Sequence, residues 1–101
     1  MKIFWSERSL QDLNEIFEFY SELAGEVVAQ NIVFSIVDKA EILSSDPKIG
    51  QIQFFEQPVL LNYRYLIIGN HKIIYRIEES QYLILISRVF DTRRDPKKLM
   101  P

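Results

Sequence analysis

Cysteine is absent from the chain, and histidine and tryptophan occur once each, at His71 and Trp5. Without thiols, disulfides, thiolate zinc sites and a cysteine nucleophile are excluded, and a small secreted scaffold stapled by bridges is not expected. A long apolar run is also missing. The N-terminus, "MKIFWSERSLQDL", meets charge within its first eight residues, so neither a signal peptide nor a membrane span is expected and the expected location is the cytoplasm. No internal repeat or low-complexity linker divides the chain, and a length of 101 residues fits one domain over 1–101. Nor is there an excess of basic charge. The net charge is −2 and the pI near 5.4, which weighs against the strongly basic surface typical of proteins that lodge in ribosomal RNA.

What is present is a foldable composition, 48% hydrophobic with 26% charged residues, outside the range where chains stay disordered. The charge is divided along the sequence. Residues 1–57 carry 4 Lys+Arg against 10 Asp+Glu, whereas 58–101 carry 8 against 4. Basic candidates for partner contact therefore lie in the second part, and "VFDTRRDPKKLM" gathers four of them, Arg93, Arg94, Lys97 and Lys98.

"KIFWS" is short, aromatic and strand-forming, and Ser6 is a suitable N-cap for the segment that follows. Leu10, Leu13, Ile16, Phe17 and Tyr20 recur at helical spacing up to Gly25, a plausible stop, and Val28, Ile32, Ile36, Ala40 and Leu43 repeat the pattern until "SSDP" and Gly50. The spacing predicts a helical hairpin. From residue 59 the period shortens: "YRYLII", "HKIIYRIE" and "YLILISRVF" read as three strands of a meander, separated by "GN" and "ESQ". "QIQFFEQPVLL" reads either as loop or as an irregular edge strand limited by Pro58. The expected fold class is α+β: an N-terminal strand, an antiparallel helical hairpin and an antiparallel β-meander packed on the helices.

Strand alternation puts Lys72, Ile74 and Arg76 on one face and Ile73, Tyr75 and Ile77 on the face suited to the helices. A two-residue "GN" turn pairs Ile67 with Lys72 and Tyr65 with Ile74, placing Arg64 opposite Lys72; a longer loop or a bulge would reunite them. His71 reads as a turn residue rather than a base. Glu15, Glu18 and Glu22 read as a solvated helix face, and no metal site is expected from them without histidines. Trp5 and Phe4 read as core or edge-strand residues. Asp91 and Asp95 bracket Arg93 and Arg94, so local ion pairing alone could account for that cluster.

Four segments in order, "WSERSLQDLNEI", "DPKIG", "YRYLIIGNHKIIYRIEE" and "ISRVFDTRRDP", together resemble the RelE/ParE superfamily of bacterial toxins from type II toxin–antitoxin pairs. The resemblance covers almost the whole chain. It implies a small toxin silenced by a cognate antitoxin in a hetero-oligomer, with no cofactor. Within the superfamily RelE-like members cleave mRNA in the ribosomal A site, whereas ParE-like members bind and poison DNA gyrase. Matched onto RelE-like nucleases, Arg64, Lys72 and Arg93 are the candidate catalytic cations. Lys72 replaces an arginine, losing its planar fork, and after Arg94 the chain offers only "DPKKLMP" where those enzymes present a tyrosine or histidine. The ParE-like reading, a protein-binding inhibitor of gyrase, is therefore preferred. The ribosome-dependent mRNA endonuclease is the alternative, and a non-toxic antitoxin-binding module or co-repressor is the third. The candidate partner-binding residues are Arg64, Lys72, Arg76, Arg93, Arg94, Lys97 and Lys98.

Overall fold

The computed structural model describes residues 1–55 and 62–93. The element order is β1 (Lys2–Trp5), α1 (Glu7–Ala24), α2 (Glu26–Ala40), a 3-10 turn (Glu41–Ser44), β2 (Gln51–Gln53), β3 (Tyr63–Ile68), β4 (His71–Glu78), a second 3-10 turn (Glu79–Gln81) and β5 (Leu83–Asp91). "QIQFFEQPVLL" thus begins as a short edge strand, and Pro58 lies outside the described residues.

Ser6 starts α1 as its sequence position suggests. Its hydroxyl accepts the Ser9 N–H at 3.0 Å and donates to the Ser87 carbonyl at 3.0 Å, so one side chain caps the helix and fastens it to β5. Gly25 alone joins the two helices. Its φ of +95° lies where a Cβ is strained, although no atom stands within 4 Å of where that Cβ would be. The second helix ends at Ala40, earlier than "SSDP", because the 3-10 turn takes over and carries Leu43 into the core.

The five strands form one mixed sheet in the order β1-β5-β4-β3-β2. The N-terminal strand pairs in parallel with the last one, Lys2 opposite Leu83 through Trp5 opposite Ile86, while the other neighbours are antiparallel. The β3–β4 turn is the two-residue form: Ile68 pairs with His71, Ile67 with Lys72 and Arg64 with Tyr75. A bulge does occur, but between β4 and β5. Ile74 faces Arg88 and Tyr75 faces Ile86, leaving Ser87 over. That extra residue lets Ile84 and Ile86 on one parity and Val89 on the other all point at the helices.

The core comprises Leu13, Ile36, Ala40, Leu43, Leu66, Ile73, Tyr75, Ile84, Ile86 and Val89, with Ile16, Ile32 and Ile77 packed against it. Two residues of the helical stripes are exposed. Leu10 is 53% exposed and Val28 42%; Val28 belongs to a hairpin apex, residues 22–28, that is exposed throughout. Phe4 is an exposed edge residue and Trp5 packs against the core. No helix among the described residues is long and apolar enough to cross a membrane.

Candidate partner-binding surface

The candidate cations among the described residues, Arg64, Lys72, Arg76 and Arg93, occupy three separate environments. Arg64 stands on the helix side of β3, where its guanidinium donates to the carbonyls of Gly50 at 2.9 Å and Lys48 at 3.3 Å. It holds the "DPKIG" loop. Tyr75, fully buried beside it, donates to the Pro47 carbonyl at 2.7 Å and accepts the Gly50 N–H at 3.0 Å. Burial pushes the Tyr75 phenol up in pKa, opposed by the Gly50 hydrogen bond and by Arg64, with Asp46 adding to the rise. A Cβ on Gly50 would lie 2.5 Å from the Tyr75 hydroxyl, so the glycine is required by close approach and not by its own backbone angles.

Lys72 and Arg76 lie on the opposite sheet face. The Lys72 ammonium sits 3.9 Å from the Tyr65 ring centroid and 6.0 Å from that of Phe90, a cation held between aromatic faces. Burial alone draws its pKa down. Arg76 lies 5.8 Å from the Tyr63 ring centroid and its Nε is 2.7 Å from Glu78 Oε1. That pair is one of proximity, since the Nε–H is not aligned on an acceptor. Tyr65 continues the row by donating to Gln51 Oε1 at 2.7 Å.

Arg93 is elsewhere again, at the end of β5 against α1. Its guanidinium grips Asp91 through Nε at 2.9 Å and Nη2 at 2.5 Å and reaches the Tyr20 hydroxyl at 3.3 Å. Of the local ion pairing anticipated for this cluster, the Asp91–Arg93 pair is present, and Arg94 and Asp95 lie outside the described residues. The Arg93 hydrogen bonds hold the Asp91 carboxyl at a pKa of about 2, against a smaller opposing effect of burial, and Asp91 in turn raises the pKa of Arg93. Arg94, Lys97 and Lys98 lie outside the described residues.

Arg64, Lys72 and Arg93 are thus not brought together. The two-residue turn separates the first from the second, and the bulge that could have reunited them falls on the β5 side.

His71 corrects its sequence reading. It is no turn residue but the first residue of β4, 5% exposed, opposite Asp91, with its ring edge-on to Tyr20 at 6.1 Å. Its Nε2 has no hydrogen-bond partner among the described residues. Burial lowers its pKa, Asp91 partly restores it and Arg93 lowers it further, so the neutral imidazole is favoured.

Asp12, part of the "WSERSLQDLNEI" segment, was given no role by sequence reasoning. Its side chain, 4% exposed, accepts from Arg88 Nε at 2.8 Å, Arg88 Nη2 at 3.2 Å and the Val89 N–H at 2.9 Å. This carboxylate joins α1 to β5 where β1 has ended and the β5 edge would otherwise lack a partner. The available signal was a carboxylate one position before Leu13, at the border of the apolar stripe. Among the described residues no group of three or more His, Cys, Asp or Glu could hold a metal ion.

The four segments that carried the resemblance now have physical content: Ser6 and Asp12 in the first, Pro47 and Gly50 in the second, Arg64 and Tyr75 in the third, Arg88, Asp91 and Arg93 in the fourth. Most of them hold the fold. Comparison with known proteins agrees with the architecture. The chain is similar to a toxin structure from the chromosomal ParDE system of P. aeruginosa, at 24% identity over 90% of this chain and 95% of that one, with a TM-score of 0.75. It is also similar to a chain of the RelBE2 toxin–antitoxin complex of Mycobacterium tuberculosis, at 20% identity over 89% and 95% with a TM-score of 0.67. The isolated E. coli RelE toxin is more distant, at 11% identity over 93% and 86% with a TM-score of 0.61. No curated protein matches the sequence. Residues 3–96 match the family described as the ParE toxin of type II toxin–antitoxin system, parDE, and with nearly the whole chain matched, the protein belongs to the ParE toxin family.

Proposed function

We propose that this toxin acts without catalysis, by binding a protein target in the cytoplasm, that the target is DNA gyrase, and that the acidic C-terminal segment of a cognate antitoxin silences it in a hetero-oligomer. The observation that carries the reading is the dispersal of the three nuclease-candidate cations. RNA cleavage through a 2′-hydroxyl needs an acid, a base and cations converging on one phosphate. Here Arg64 is committed to loop carbonyls, Lys72 stands on the opposite face over Tyr65 and Arg93 is engaged by Asp91. A binding surface asks less. Lys72 and Arg76 set among Tyr63, Tyr65 and Phe90, with Arg93 and the basic residues 94, 97 and 98 nearby in sequence, would suit an amphipathic acidic segment that folds on contact.

One feature favours the mRNA endonuclease as a second reading. The half-buried rings of Tyr65 and Phe90 beside Lys72 form a surface on which nucleobases could stack. Labelled thymidine and methionine incorporation, followed in the minutes after induction without antitoxin, separates the two. Early loss of thymidine incorporation, followed by inhibited supercoiling with purified gyrase, is the expected result. Loss of methionine incorporation first would overturn the gyrase reading in favour of the nuclease.

A further inference from the structure

From Ser9 to Asp38 the sequence contains no lysine or arginine, yet it carries Asp12, Glu15, Glu18, Glu22, Glu26 and Asp38. Asp12 is consumed by Arg88. Glu15, Glu18, Glu22 and Glu26 are all exposed, and none makes an ion pair among the described residues; Glu18 only accepts from Asn14 Nδ2 at 3.2 Å. Large apolar side chains stand among these carboxylates. Phe19 is 49% exposed, Leu23 69% and Val27 71%. Phe19 and Leu23 are one turn apart on the same face of α1, with Glu15 and Glu22 as their helical neighbours. Val27, in the first turn of α2 just past Gly25, is also exposed, as is Phe34 two turns further along the same face of α2.

We propose that the apex of the α1–α2 hairpin is a second docking surface, one that receives a basic, apolar protein segment presenting lysine or arginine beside aliphatic or aromatic residues. Charge complementarity selects this occupant. Four unpaired carboxylates repel nucleic-acid phosphates, anionic lipid headgroups and an acidic antitoxin segment, and attract cations. The aliphatic stems of lysine and arginine can lie on Phe19 and Leu23 while their heads reach the glutamates. Apolar side chains grouped at a protruding apex and rimmed by one sign of charge are what an interaction site presents, whereas scattered exposed residues carry no such meaning. The surface is separate from the cationic sheet face and does not rest on the target assigned above, so the toxin would hold two partners of opposite polarity.

The test is fluorescence anisotropy of a labelled helical Leu/Lys peptide titrated with the 101-residue chain. Saturable binding is expected, weakened about tenfold or more by Phe19→Ser with Leu23→Ser, and by a similar factor by Glu18→Gln with Glu22→Gln. It should weaken with added salt, fail for the same peptide carrying glutamate in place of lysine, and be unaffected by Phe54→Ser at another exposed position. All four substituted hairpin positions are exposed, and circular dichroism verifies that the variants fold. Absence of saturable binding, binding by either double variant as tight as that of the parent, or binding of the glutamate peptide as tight as that of the lysine peptide would overturn the proposal.

Discussion

Replacing Asp12 by alanine tests the account of how the helical layer is fixed to the sheet. Three donors converge on this carboxylate, two from Arg88 and one from the Val89 backbone. Both side chains of the pair are largely buried, at 4% and 12% exposure. Leaving the Val89 N–H without an acceptor costs about 1–3 kcal/mol, and removing one member of a buried ion pair costs about 3–5 kcal/mol. These overlap, because one carboxylate serves both, so the expected loss for Asp12→Ala is about 3–5 kcal/mol in all. Set against the ~5–15 kcal/mol typical of a small domain, this removes much of the stability and lowers the thermal midpoint by roughly 10–25 °C. Asp12→Asn keeps one acceptor oxygen for Val89 but loses the charge and turns an NH2 donor toward the Arg88 guanidinium, so it should recover only part of the difference. Arg8 approaches the same carboxylate only at 3.7 Å from an exposed position, and Arg8→Ala should change stability by less than about 1 kcal/mol. Urea unfolding followed by circular dichroism measures all three. An Asp12→Ala protein within about 1 kcal/mol of the parent would refute the reasoning.

Gly50→Ala puts a methyl group against the Tyr75 hydroxyl and ring and 2.8 Å from the Tyr65 carbonyl, and since Tyr75 is fully buried the substitution should cost about 1–3 kcal/mol. Combining it with Tyr75→Phe removes the closest of those contacts, so the double variant should lose less than the sum of the two single losses; additive losses in the same urea assay would contradict this geometry. For His71 the folded-state pKa is below its ordinary 6.5, so the unfolded chain binds the proton more readily. Its contribution is then complete above pH 6.5 and is lost as the pH falls below that value. Thermal midpoints should decline over this range in the parent and decline less in His71→Phe; parallel profiles would rule His71 out as the source. Asp91, with a pKa of about 2 against an ordinary 3.8, enters only at lower pH, where its contribution fades between those two values.

Much of the architecture was legible because local rules and tertiary packing agree. Ser6 caps where a cap was expected, Gly25 stands where the chain must turn between helices, and the alternation of Ile73, Tyr75 and Ile77 assigns β4 its inner face. Three features were not legible, each for a physical reason. The parallel pairing of β1 with β5 joins residues some eighty positions apart, and no local pattern encodes it. The bulge at Ser87 is visible only as a break in parity between Ile86 and Val89, which a buried strand with apolar residues on both faces conceals. His71 lies beside a turn in sequence but inside the protein in space.

The cations show most clearly where sequence reasoning stops. Charge and spacing identify Arg64, Arg88 and Arg93 as the same kind of residue, yet Arg64 holds a loop through carbonyls, Arg88 holds a helix through a carboxylate, and Arg93 pairs with its neighbour at the surface. What an arginine can offer a partner is set by what it must give up. Arg88 cannot turn outward without leaving the buried Asp12 carboxylate unsatisfied, and Arg64 would give up its bond to the part-buried Gly50 carbonyl. Lys72, Arg76 and Arg93 can exchange an intramolecular contact for an equivalent intermolecular one, with little net gain from the charge itself. An acidic segment docking on this face would therefore draw its affinity mainly from the rings of Tyr65 and Phe90 and from Ile67, with the cations fixing its register and excluding basic competitors. It follows that truncating Tyr65 should weaken antitoxin binding more than neutralising Lys72, a ranking opposite to the one charge counting alone would give.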